Sequence, residues 1–213
     1  MNTNKHFFDT VRPLFGGGMT QGQVDGLIRI MDYAEKWGYS AEDTAYVLAT
    51  IWHETAQWME PIREGARRYG PSYSDASAKR AVASIYGKGV IRVNYALPAG
   101  PYKQPYYGRG LVQITWYDNY KKFADLLGIP LDKNPDLALD WDVSLDICFL
   151  GMRDGLFTSK KMGDYAFPLE YNVARPIVNG DVKKYGKTIG DAALTFLSAM
   201  PDTLNRNGGR CEH

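Results

Sequence analysis

Cysteine and histidine are scarce in this chain, with two and three copies respectively among 213 residues. So few cysteines do not fit a disulfide-stapled secreted framework, and no disulfide is expected between Cys148 and Cys211. Cys148 lies in the apolar run Ile147-Cys148-Phe149-Leu150, where a buried reduced thiol is the expectation. An excess of one charge is also missing. With 25 basic and 24 acidic residues and a formal net charge of +1, no global field draws the chain to nucleic acid or to a membrane surface. Long apolar runs are absent: nothing approaches the roughly 18 consecutive apolar residues of a membrane span. The opening stretch MNTNKHFFDTVRPLFGGG has a basic Lys5 but no continuous apolar segment of signal-sequence length. A soluble protein, cytoplasmic after synthesis and without stable membrane insertion, is expected. No repeat, charge block or Ser/Pro-rich linker divides the chain, so residues 1–213 read as one domain.

An apolar content of 45% is enough to fill a substantial core. Helical signals dominate. Thr20 and Gln23 form a capping-box pattern ahead of Val24, Leu27, Ile28, Met31 and Ala34, and Gly38 is a natural stop. Ser40 and Asp43 open a second helix predicted to run to about Met59, before Pro61. A third is predicted from Thr115, with Asp118 completing its cap and Tyr120, Phe123, Ala124 and Leu127 on its apolar face. Asp140 to Leu156 reads as a buried helix. A last one, capped at Thr188 with Asp191, carries Ile189, Ala192, Ala193, Phe196, Leu197 and Met200. The segment Gly87 to Gly110 mixes glycine, proline and tyrosine, which predicts loop or short hairpin. Its tyrosines suit either packing or a sugar-binding groove, because aromatic faces stack on the C–H faces of pyranose rings.

The sharpest chemical feature is Ile51-Trp52-His53-Glu54-Thr55 on the second helix. A 3.6-residue period puts Val47, Ile51, Glu54 and Trp58 on one stripe, so a carboxyl group interrupts an apolar row. Apolar neighbours disfavour the ionised form and suit a general acid; an ion pair with Arg63, Arg67 or Arg68 is the structural alternative. Glycoside hydrolysis needs a second carboxylate. Glu60 and Glu64 are the nearest, and Glu64 is favoured because the Pro61 break lets the chain turn back; a surface pairing with the neighbouring arginines is its alternative. Other chemistries fit poorly. His53-Glu54 starts like a zinc-peptidase HExxH helix, but position 57 is Gln57 and the other histidines, His6 and His213, lie near the ends. Gly186-Lys187-Thr188 lacks the upstream glycine spacing of a phosphate loop, and no GxSxG motif is present.

Taken in order, His53-Glu54-Thr55, then Tyr106-Tyr107-Gly108-Arg109-Gly110-Leu111-Val112-Gln113-Ile114-Thr115, then Asn134-Pro135-Asp136-Leu137, then Val178-Asn179-Gly180 resemble the family 19 glycoside hydrolases, which include chitinases and related phage endolysins. The likeness covers roughly Thr44 to Met200. It implies a mainly α, lysozyme-like domain with two lobes around a substrate groove, in which residues 1–39 are a helical extension, 40–200 the hydrolase-like core and 201–213 a tail. It implies Glu54 as general acid and Glu64 as general base in an inverting mechanism, with Gln113 and Thr115 holding water and substrate and Asn179 contacting the acetamido group or the water. His53, Tyr106, Tyr107 and Arg109 are implied to serve substrate binding, by shaping the groove and supporting the acidic pair. Thr115 stands where the family more often has serine, and Ala56, Gln57 and Trp58 stand where it commonly has glycines. The cysteines of secreted plant chitinases are missing.

The function expected is that of an endolysin cleaving β-1,4 bonds of bacterial peptidoglycan, with no metal or other cofactor. Its expected partners are the glycan strands and a holin-type protein that opens the way from the host cytoplasm to the wall; monomer is the default state. Chitin hydrolysis and an inactive glycan-binding module are the alternatives.

Overall fold

The computed structural model describes residues 5–200; the tail 201–213, with Cys211 and His213, lies outside the described residues. Helices of both kinds make up 60% of the structure and strands almost none, so the mainly α expectation holds. The described residues resolve into two compact units, one of residues 5–53 and 149–200 and the other of residues 54–148.

In the first unit, α1 (Lys5–Val11), α2 (Gln21–Lys36) and α3 (Ala41–Glu54, whose last residue opens the second unit) are followed much later in the chain by the end of α6 (Trp141–Asp154) and by α7 (Val182–Ala199). The Thr20 capping box forms in both directions: Gln23 N–H donates to Thr20 Oγ1 at 3.2 Å and Thr20 N–H to Gln23 Oε1 at 2.8 Å. Ser40 caps α3 by accepting from Asp43 N–H at 3.0 Å. Every residue from Thr44 to Ile51 is buried, so α3 is a core helix surrounded on all sides. α7 lies on the 3-10 turn Tyr171–Val173; Cβ atoms added at Gly186 or Gly190 would come within 2.3 Å of Asn172 O and 2.0 Å of Asn172 Oδ1. Two side-chain-free positions one turn apart therefore let another segment's backbone press against the helix. Tyr171 stacks on Tyr46 at 5.6 Å and donates to Glu42 O at 2.7 Å, fixing that turn to α3.

The second unit contains α4 (Asp75–Gly87), α5 (Tyr117–Leu127), the start of α6 and a two-stranded antiparallel sheet of β1 (Ile62–Arg63) and β2 (Arg109–Gly110). The 3-10 helix Pro135–Leu139 packs on β2. Gly110 makes that contact possible, since a Cβ there would fall 2.7 Å from Ala138 O and 2.8 Å from Ser144 Oγ. Beneath α4, Ala78, Val82, Ala96 and Tyr107 form a small core. Among the described residues no helix is long and apolar enough to cross a membrane.

Three local expectations are corrected and one helix is added. The second helix ends at Glu54 instead of about Met59, because Ala56, Gln57 and Met59 adopt positive φ (50°, 75° and 56°), which no α-helix accommodates. Trp58 therefore leaves the stripe drawn through Glu54. The third helix starts at Tyr117, its N-cap is Trp116 at φ 74° with no side-chain cap, and Thr115 instead donates to Gln113 O at 2.9 Å. The last helix begins six residues before Thr188, which lies in its interior. Finally, α4 is a helix that periodicity did not reveal; Ser74 caps it by accepting from Ser77 N–H at 3.2 Å. The expected loop survives as residues 88–108, with one bridge between Ala99 and Gln104.

Candidate active site

Glu54 terminates the core helix α3, and that placement puts its Oε1 out of reach of solvent. On α6, Cys148 is a buried free thiol, pushed upward first by burial and then by Glu54, which is a carboxylate at the alkaline pH where a thiol ionises. The abrupt turn that follows is held by Thr55, whose Oγ1 accepts from Met59 N–H at 3.0 Å. Glu60 is half-buried in the segment that leads from this turn to β1.

Glu64 immediately follows β1 and is tied to the Tyr106–Thr115 block by backbone and side chain together. Its N–H donates to Gly108 O at 2.8 Å, while its Oε2 accepts from Gly108 N–H at 2.9 Å. Its Oε1 accepts from the Tyr95 hydroxyl at 2.6 Å. Burial, then the bond to Glu64, pushes the Tyr95 phenol upward, so it stays the donor in this pair. Both carboxylate oxygens are thereby aimed by rigid groups.

Gln113, at φ 54°, turns its amide Nε2 onto Ile62 O (3.0 Å) and Gly110 O (2.9 Å), bridging both strands. A Cβ on Gly108 would sit 3.0 Å from Gln113 Oε1 and 3.1 Å from Glu64 Oε2. Glu64, Gly108, Gln113 and, through Gln113 O, Thr115 form one connected cluster. Arg109 backs it from beneath. Only 2% exposed, its guanidinium lies 3.6 Å over the Tyr107 ring, its Nε pairs with Asp136 Oδ1 at 2.7 Å, and Pro105 O, Tyr107 O and Tyr120 Oη accept from its Nη1. Asp136 also receives Arg63 at 2.6 Å and so links the two β-strands' arginines.

Tyr106, Tyr107 and Arg109 are buried at 1%, 0% and 2% exposure, so of the roles implied for them support of the site from within is the one their placement suits. They act as scaffold. Tyr106 donates to Asp132 O at 2.6 Å and Tyr107 to Asp75 Oδ1 at 2.7 Å. Against burial, bonds from Lys79 and Tyr107 and the charges of Lys79 and Arg109 hold Asp75 below the usual carboxylate range. In the other compact unit, His53 is half-buried with its ring 4.5 Å from that of Tyr185, and Asn179 is exposed on the turn before α7, its N–H donating to Arg175 O at 2.9 Å.

Two residues that the sequence did not single out belong with Glu64. Tyr95, one of several tyrosines in the irregular segment, is its hydroxyl donor. Trp116 is 46% exposed and meets Tyr95 edge-on at 5.0 Å. The only available signal for either was aromatic density around the Tyr106–Thr115 block. Among the described residues no group of three or more His, Cys, Asp or Glu is placed to hold a metal ion.

No protein-family profile matches the chain. Chitinase 11 of Oryza sativa subsp. japonica is 34% identical over 90 residues, which are 33% of this chain and 34% of that protein. An Arabidopsis thaliana endochitinase is 37% identical over 83 residues, 32% of this chain and 30% of its own length. The chain thus matches about a third of these curated relatives. Two solved structures align over far more: a bacterial family 19 chitinase (TM-score 0.53, 19% identity, 90% of this chain and 92% of that one) and a chitinase C mutant (TM-score 0.51, 20% identity, 90% of each). The chain shares with them the lysozyme-like, mainly α fold of family 19 chitinases.

Proposed function

We propose that the chain is a glycoside hydrolase that cleaves β-1,4 bonds of bacterial peptidoglycan as an endolysin, with Glu54 as acid and Glu64 as base. The observation that carries this reading is the fixing of Glu64 by Tyr95 and Gly108 within a cluster that also holds Gln113 and Thr115. A base must be aimed at one water, and two rigid donors on its two oxygens supply that aim. The contrast with Glu54, whose Oε1 is shielded from water, suits a division of labour: a shielded carboxyl favours the neutral acid. The Glu54 proton passes to the glycosidic oxygen as the C–O bond breaks, and Glu64 takes a proton from the water that attacks the anomeric carbon from the opposite face. Inversion follows if the carboxyl groups stand roughly 6.5–9.5 Å apart, leaving room for that water. Thr115 keeps a hydroxyl near Gln113 for substrate, Trp116 offers an exposed face to a sugar ring, and His53 and Asn179 serve substrate binding in the same reading.

Synthesis in a host cytoplasm, monomeric action on the wall and passage through a holin-type partner complete the proposal. The relatives named as chitinases favour a second reading, hydrolysis of chitin. Digests of purified walls and of chitin oligomers, with products identified by mass spectrometry, separate the two: muropeptide reducing ends support the first, and cleaved chitin beside intact walls supports the second. Glu54→Gln keeps size and removes the proton, so turnover is expected to fall at least about a hundredfold. Undiminished turnover by that variant would overturn both readings.

A further inference from the structure

Two surface cavities of about 520 and 500 Å³ lie on either side of α4, and Arg80 lines both. The first is walled by Tyr69 and Tyr73, whose rings stack at 5.4 Å with 8° between planes; Tyr69 is 60% exposed. It adjoins the Glu64 loop, since Tyr73 and Ala81 are the side chains a Cβ on Gly65 would meet. Serine hydroxyls line the rest. An exposed aromatic face rimmed with hydroxyls suits a pyranose ring.

The second cavity differs in chemistry. Ala96, Leu97, Pro98 and Pro105 give it an apolar floor, and Leu97 is 59% exposed. Cations stand at its edge. Lys79 is already satisfied by Asp75 at 2.8 Å. Arg80 donates only to the neutral Ser77 Oγ at 2.9 Å, and neither it nor Lys103 pairs with a carboxylate among the described residues. Two uncompensated cations over an apolar floor complement an acidic chain with small aliphatic side chains.

We propose that α4 carries a subsite for an amino sugar bearing a short acidic peptide: the ring lies on Tyr69 and Tyr73, a carboxylate of the peptide meets Arg80 and Lys103, and its aliphatic groups rest on Leu97 and Pro98. The inference rests on the peptidoglycan reading and deepens it, because chitin offers neither a carboxylate nor a peptide. The subsite selects substituted from unsubstituted sugar polymers at a place separate from the Glu54 and Glu64 carboxyls.

The test is equilibrium binding by calorimetry in the Glu54→Gln background, where no turnover intervenes. The probes are a soluble peptidoglycan disaccharide carrying its acidic peptide and a neutral N-acetylglucosamine oligomer. The expectation is about tenfold tighter binding of the peptide-bearing disaccharide at low salt, the scale of one charge-assisted contact, shrinking as salt rises. Arg80→Gln removes the preference, whereas Lys88→Gln, a charge loss at the C-cap of the same helix, keeps it. Tyr69→Ala weakens the disaccharide through the ring contact; both side chains are exposed, and thermal melts confirm that the variants fold. Equal affinity of the two probes, or a preference that persists in folded Arg80→Gln, overturns the inference. Wall digestion by the unmutated enzyme is scored apart. Intact walls together with an Arg80-dependent preference would sink the reading as a peptidoglycan hydrolase and leave the subsite standing; digested walls with no such preference would do the reverse.

Discussion

Gly108 and Gly110 lie two residues apart in β2 and its approach, and substituting each by alanine should separate catalysis from stability. At Gly108 the added methyl would lie 3.0 Å from Gln113 Oε1 and 3.1 Å from Glu64 Oε2. Ordinary contact begins near 3.4 Å, so each group must give by a few tenths of an ångström. Both are ends of flexible side chains and yield cheaply, so the fold should lose no more than about 1 kcal/mol. What yields, however, is the proposed base and its neighbour. A displacement of about 1 Å costs on the order of a hundredfold in rate, and a few tenths with a loosened Gly108 N–H bond should cost about tenfold in kcat. At Gly110 the methyl would meet Ala138 O at 2.7 Å, a backbone atom, and the residue sits at φ 84°. Neither the carbonyl nor the dihedral adapts easily, so Gly110→Ala should destabilise by about 3 kcal/mol. Steady-state kinetics on soluble oligosaccharides beside thermal unfolding read both effects. Full kcat in Gly108→Ala, or a stability loss there as large as in Gly110→Ala, would refute the placement of Glu64 at the reacting centre.

Asp136→Asn leaves buried Arg109 with its backbone carbonyl acceptors and with the more distant Asp75, 3.8 Å away, as its remaining counter-charge, and since Asp136 is itself half exposed the loss should be about 2 kcal/mol, read by denaturant unfolding. Ala56→Gly relieves a φ of 50° worth about 1–2 kcal/mol at a cost of roughly half that in unfolded-chain freedom, so stability should rise by about 0.5–1 kcal/mol and Tm by about 2 °C. Trp116→Ala removes the exposed ring beside Tyr95 and should raise KM several-fold with kcat kept within about twofold, as expected for a contact equally good in ground and transition states.

Much of the helical frame was legible because its signals are local. Thr20 with Gln23 and Ser40 with Asp43 mark their helix starts by side-chain bonds three residues long, and the structure forms both. The same grammar misled at Thr115 and Thr188. The hydroxyl of Thr115 is turned back to Gln113 O because the hairpin from Arg109 to Ile114 must close first and Trp116 must then donate to Tyr106 O. Those are tertiary demands that no five-residue window contains. The apolar period of α3 overruns the helix for the same reason: it continues formally to Trp58, but Trp58 instead covers Gly70 and donates to Arg67 O. The glycines usual after the His-Glu-Thr triplet in the resembled family were the one clue, for their absence here leaves Ala56 and Gln57 in a conformation glycine holds at no steric cost.

The string from Tyr106 to Gly110 shows how residue types that suit sugar contact can instead be spent inside the protein. Five aromatic, basic and glycine positions from Tyr106 to Gly110 invite a reading as groove wall, since such residues often touch sugars. The structure spends them underneath. Arg109 must keep its charge inside the protein, and a buried guanidinium needs several acceptors and an aromatic face, which Asp136, Pro105, Tyr107 and Tyr120 supply. That arrangement fixes the backbone of Gly108 to within a hydrogen bond of Glu64, and only then can a carboxylate 44 residues away in sequence be aimed from both oxygens. The groups left facing solvent beside it, Trp116 and the α4 cavities, are those whose identity the fold does not dictate, so they are where substrate choice is free to vary.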